Sequence, residues 1–173
     1  MLFRDISNFT NTSDYLPILN SAMIIDLFVI LLVELGYIKS KSLVAWYRKF
    51  HIGAFVADVL SLVIGITLAR LVYTYFNWGW NILLFLIVAV CVQLIHDLLF
   101  AKLFYAFPRG VSKVLDVFKD YANELGATIL LADAQMIIGT AVLATLLSSL
   151  STNANIFLLI IVSYMVPYFV FSV

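Results

Sequence analysis

Five apolar runs, near residues 16–37, 51–76, 81–107, 124–150 and 156–173, constrain this chain more than any other feature. A hydrocarbon layer about 30 Å thick is crossed by roughly 20 residues of helix, and the runs are of that order. Each must be helical, because an open strand edge in lipid leaves backbone N–H and C=O groups without partners. Of 173 residues, 64% are hydrophobic and 12% charged, too much apolar surface for one small soluble core to bury. The expected fold is all-α: a polytopic membrane helix bundle with five transmembrane helices in a single domain, and the lipid bilayer is its first partner. The first run follows a polar segment containing Asp5 and Asp14 and exceeds a signal-peptide core, so it reads as a retained span. Pro167 is expected to kink the fifth.

Lys39, Lys41, Arg48 and Lys49 lie in the first connection, and Arg109, Lys113 and Lys119 in the third, whereas the other two connections carry no Lys or Arg. The positive-inside rule then places the amino terminus on the exoplasmic side and the carboxyl terminus in the cytosol. Two sequons, Asn8-Phe9-Thr10 and Asn11-Thr12-Ser13, fall outside under that assignment. Aromatic residues Tyr73, Tyr75, Trp78 and Trp80 surround the 77–81 turn, as expected of a tight hairpin at a membrane interface. In the third connection Val111, Val114, Leu115, Phe118, Tyr121 and Leu125 recur at helical spacing. This predicts one amphipathic helix on the cytosolic surface, about 111–123.

Ionisable side chains within the apolar runs are the functional clue, since each costs about 2.5 to 3.5 kcal/mol at the bilayer centre unless it finds a partner, water or a proton. Asp26, Asp58, Asp97 and Asp133 are such groups. Gln93, His96 and Asp97 stand three and four apart and so share one side of a helix. Asp58, His96, Asp97 and Asp133 are expected at similar depths in the inner half of the bilayer, with Asp26 nearer the middle. Lys102 is the nearest base to Asp97, and Arg70 is expected to snorkel to the outer interface.

Buried imidazole and carboxyl groups suit a pathway for protons or monovalent cations through Asp58, Gln93, His96, Asp97, Asp133 and Asp26. The competing reading is a non-catalytic structural or assembly protein of a membrane, in which the same groups bond to one another and to Ser61, Gln93, Gln135 and Thr140 as interhelical glue. A third is a metal-dependent membrane hydrolase with His96, Asp97, Asp58 and Asp133 as ligands, although the chain has only two histidines. No HExxH, nucleophile elbow, phosphate-binding glycine loop or potassium-filter motif is present. No cofactor is expected, and a net charge of zero without a basic run speaks against nucleic acid. The single Cys91 reads as a small hydrophobe. Stripes of small residues, Ser61, Gly65 and Ala69, then Ala141, Thr145 and Ser149, favour close helix packing, within the chain or in a homo-oligomer. No internal repeat is evident.

At Gln93-x-x-His96-Asp97-x-x-Phe100, Glu124-x-Gly126 and Ala132-Asp133-Ala134-Gln135-Met136 the chain resembles uncharacterised small multi-spanning membrane proteins of large DNA viruses of algae and protists. The resemblance covers about a quarter of the chain. It implies a place in a virion or host endomembrane, and no activity.

Overall fold

The computed structural model describes residues 3–173, and among them seven α-helices and no strand. Five are long and apolar enough to cross a membrane: α1 (Tyr15–Glu34), α3 (Ile52–Tyr75), α4 (Ile82–Ala106), α6 (Thr128–Leu147) and α7 (Thr152–Val170). The others, α2 (Lys41–Phe50) and α5 (Lys113–Leu125), are short and amphipathic. The chain is therefore a helical membrane bundle, with two amphipathic helices where periodicity alone had suggested one. Residues 124–125 close α5 rather than open a span, because Gly126 turns the chain at φ +56°. The last span starts earlier than its apolar run, where Ser151 accepts the Ala154 N–H at 3.2 Å, and it continues through Pro167 to Val170.

These elements resolve into two like units and an extra helix. Each unit is a spanning helix, an amphipathic helix and a second spanning helix: α1–α2–α3, then α4–α5–α6. A serine side chain caps each amphipathic helix, Ser40 accepting from the Leu43 N–H and Ser112 from the Leu115 N–H. Each such helix ends at a residue of nearly the same unusual conformation, His51 (φ 46°, ψ −123°) and Gly126 (φ 56°, ψ −134°). Glycine adopts it freely, whereas His51 is held there with its ring stacked on Phe171 at 4.9 Å.

Burial follows the same register. At one constant offset, the buried Phe85, Val88, Ala89, Gln93 and Phe104 of α4 match the buried Asp14, Pro17, Ile18, Ala22 and Val33 in and just before α1. At a second constant offset, Ile137, Thr140, Ala141, Ala144 and Thr145 of α6 match Leu62, Gly65, Ile66, Ala69 and Arg70 of α3. The packing agrees: α1 lies against α3 and α6, α4 against α6 and α3, α2 against α5 and α3 against α6. Helices α1 and α4 run in the same direction, so the units are related by a pseudo-twofold axis along the bundle, of the parallel-repeat kind. Packing at α3 is close at Gly65, where a Cβ would stand 3.0 Å from Ile137 Cδ1 and 3.1 Å from Gln93 Oε1 and would press on both side chains.

Helices α2 and α5 form a collar over one face of the bundle. The Glu124 carboxylate of α5 accepts the Lys41 and Ser42 N–H groups, each at 2.7 Å, and so satisfies the start of α2. Lys41, Arg48, Lys49 and Lys113 are exposed on this collar. At the opposite face the segment before α1 folds onto the end of α3. Arg70, which is fully buried rather than snorkelling, donates to the carbonyls of Asn8 and Asn11 and pairs with Asp14 at 3.3 Å. Its guanidinium also lies over the Tyr15 ring at 4.6 Å. Thr74 accepts the Phe9 N–H and donates to the Ser7 carbonyl. Asn11, in the second sequon, uses its amide to donate to Asp14 at 2.9 Å.

Removing one partner of a buried ion pair leaves the other charge uncompensated, a cost of about 3 kcal/mol or more. Arg70→Met should therefore lower the thermal midpoint in detergent sharply, and Arg70→Met with Asp14→Leu should recover much of the loss. Hydrogen bonding from Ser42, then from the Lys41 backbone, outweighs desolvation and holds the Glu124 carboxyl below its ordinary value of 4.5. Because the folded-state value is depressed, its contribution is present above pH 4.5 and is lost as pH falls through the folded-state value. Amide exchange at Lys41 and Ser42 should lose protection on acidification, and Glu124→Ala should show that loss already at pH 7.

Candidate functional site

The acidic residues gather beneath the collar. Asp26 of α1 is fully buried and accepts a hydrogen bond from the Tyr47 hydroxyl at 3.0 Å, while its second oxygen has no partner. Asp58 of α3 accepts from Trp46 Nε1 at 2.9 Å. Both donors come from the buried face of α2, which carries aromatic residues into the bundle next to its exposed Arg48 and Lys49. Trp46 is braced by Phe50 and by Phe118 of α5, each ring centred 4.9 Å away. Burial pushes the Tyr47 phenol well above its ordinary value, and the nearby Asp26 and Asp58 add to this. The hydroxyl thus stays protonated and serves as a donor to Asp26.

On α4, Gln93 donates to Asp97 at 2.7 Å, and His96 Nδ1 lies 3.2 Å from the same oxygen. Asp97 is nearly enclosed, with its side chain 12% exposed, whereas His96 is 41% exposed at the margin and stacks on Phe100. Asp133 of α6 completes the group. It lies within electrostatic range of Asp97 and Asp58, as Asp58 does of Asp26. The Tyr121 phenol of α5 lies within electrostatic range of Asp133 and Asp58. Among the described residues no Lys or Arg pairs with any of the four carboxylates, and the ion pairs are elsewhere except for His96 with Asp97. Lys102 is exposed.

The structure thus brings together Asp26, Asp58, Gln93, Asp97 and Asp133 and leaves His96 at their edge. Among the expected polar supports, only Gln93 bonds to one of the acids. Gln135 is exposed on α6, and the buried Thr140 hydroxyl has no partner. Sequence reasoning missed Trp46 and Tyr47. Their signal was the three-and-four spacing of Leu43, Trp46, Tyr47 and Phe50 after Ser40, inside a segment read as a connection. Among the described residues, no three His, Cys, Asp or Glu side chains are arranged to hold a metal ion.

Buried polar groups extend toward the opposite face. Asn20 of α1 donates to Asn155 of α7 at its carbonyl and side-chain oxygens, and Asn155 donates to the Leu147 and Ser151 carbonyls. Above them a hollow of about 320 Å³ is lined by Arg4, Ser13, Pro17, Ser148 and Asn155, among others. The bundle is a multi-spanning membrane protein whose acids come from four spanning helices and lie, half-buried except for Asp26, beneath two amphipathic ones. No protein-family model, curated protein or solved structure matches the chain.

Losing the Tyr47 hydroxyl leaves Asp26 with no hydrogen-bond donor, at a cost of about 1 to 3 kcal/mol. Tyr47→Phe should lower the thermal midpoint, and adding Asp26→Leu should reverse part of that loss. An additive double variant would show that the pair is not a structural unit.

Proposed function

We propose that the protein is a small proton or monovalent-cation pathway whose central site is the group Asp26, Asp58, Asp97 and Asp133. The observation that carries this reading is that carboxylates from four different spanning helices converge with no basic side chain among them. Such a set is costly to bury as anions, and protons or a cation relieve that cost directly. The collar would face the cytosol, because the exposed Lys and Arg residues of α2 and α5 lie there. The hollow would then open to the exoplasmic side, with Asn20 and Asn155 between it and the acids. The second reading, interhelical glue, draws on the bonds from Tyr47 to Asp26 and from Trp46 to Asp58, which tie α2 to the bundle.

Asp58 interacts with acids of both units, so Asp58→Asn is the informative change. It preserves shape and an acceptor for Trp46 while removing the titratable proton. In proteoliposomes under an imposed pH gradient and membrane potential, the pathway reading expects wild-type flux above empty vesicles and its loss in Asp58→Asn, with the thermal midpoint nearly unchanged. Wild-type vesicles no leakier than empty ones, with a stability change of about 1 kcal/mol in the variant, would support glue instead.

A further inference from the structure

The pseudo-twofold relation of the two units extends to the acid site. Asp58 and Asp133 each follow the turn residue, His51 or Gly126, by about two helical turns. Trp46 and Tyr121 precede those residues at matching spacing. Asp26 and Asp97 match in the register that pairs the buried faces of α1 and α4. We infer that the site is two equivalent half-sites, Asp26 with Asp58 and Asp97 with Asp133, and that Trp46 and Tyr121 are their paired aromatic lids on the collar face.

The two lids differ in state. Trp46 is 5% exposed and bonded to Asp58, which closes the first half. In the second half Tyr121 is only partly buried, and Asp133 receives no hydrogen bond from it or from any other described side chain. The asymmetry has a cause in packing. Tyr47 stands beside Trp46 and adds a second donor, whereas the residue after Tyr121 is Ala122. Phe171, following α7, stacks on His51 at the turn of the first unit, and α7 packs against α1 and α3. Access from the collar face is therefore through the second half, with the first opening only when Trp46 releases Asp58. This deepens the pathway reading, but the lids can be tested without any flux.

With Trp78→Phe and Trp80→Phe, Trp46 is the one remaining tryptophan, and quenching of its selectively excited fluorescence by acrylamide reports release of the lid. We expect weak quenching in that background, little change with Asp58→Asn, and a clear rise with Asp58→Leu. In a second background that adds Trp46→Phe, Tyr121→Trp places the probe on the other lid; there we expect ready quenching, unaltered by Asp133→Leu. Helicity and elution volume are checked for every variant, and Asp58→Ala replaces Asp58→Leu if the latter misfolds. Equal quenching of the two probes, or a Trp46 signal indifferent to both the Leu and Ala changes, would overturn the proposal. Flux separates it from the reading on which it rests. With a working pathway, Trp46→Phe should raise the first lid's open-to-closed ratio by about tenfold, corresponding to about 1.4 kcal/mol, while flux, which enters through the second half, is retained. Lids that respond in a protein that conducts nothing would sink the pathway and leave the lids standing.

Discussion

Hydrocarbon supplies no hydrogen bonds, and the structure is organised around that lack. Every carboxylate placed within a span must find a donor, a proton or an ion inside the protein. For Asp26 and Asp58 the donors come from a helix that does not cross the membrane. Helix α2 lies across the collar face, exposes Arg48 and Lys49, and turns Trp46 and Tyr47 inward onto the acids. The Glu124 clip at the start of α2 and the turn at His51 at its end fix where those two rings fall. The collar is therefore part of the site rather than a surface anchor alone.

The two faces of the bundle solve the problem of buried charge differently. On the collar side, acids without bases meet aromatic donors. On the opposite side a complete cation, Arg70, is enclosed by backbone carbonyls, Asp14 and the Tyr15 ring. That second arrangement meets the guanidinium through Nη2, leaving Nε and Nη1 without partners, and ties the segment before α1 to α3, which suits a structural role. Among the acids, Asp26 and Asp97 each keep one unpartnered oxygen.

Departures from twofold symmetry fall mainly on the first unit. The amino-terminal segment docks on α3, α7 packs on α1 and α3, and Phe171 stacks on His51. These additions bear mostly on the first unit, although Arg4 donates to the Ser148 carbonyl just past α6 and Asn155 to that of Leu147. Helix α4 presents Ile87, Ile95, Leu98 and Leu99 outward. A bundle of two like units supported more on one side would have a firmer half and a looser half, as the proposed pair of aromatic lids requires.

Hydropathy and periodicity were enough to establish five spanning helices, the amphipathic α5 and the acids as the groups in need of explanation, because each is encoded within one segment. Other features were hidden for a physical reason. The repeat lies in burial register and turn geometry rather than residue identity: His51 stands where Gly126 does, and Ala122 where Tyr47 does. Arg70 looked close enough to an interface to snorkel, but residues far away in the chain fold over it and supply its partners. The donors Trp46 and Tyr47 reach acids on two different helices only once α2 has packed. Sequence alone determined the five spanning helices and α5, their solvent and the charges they carry, since these depend on local composition. Tertiary structure decided which charge meets which partner, because that depends on helix rotation and packing between segments distant along the chain.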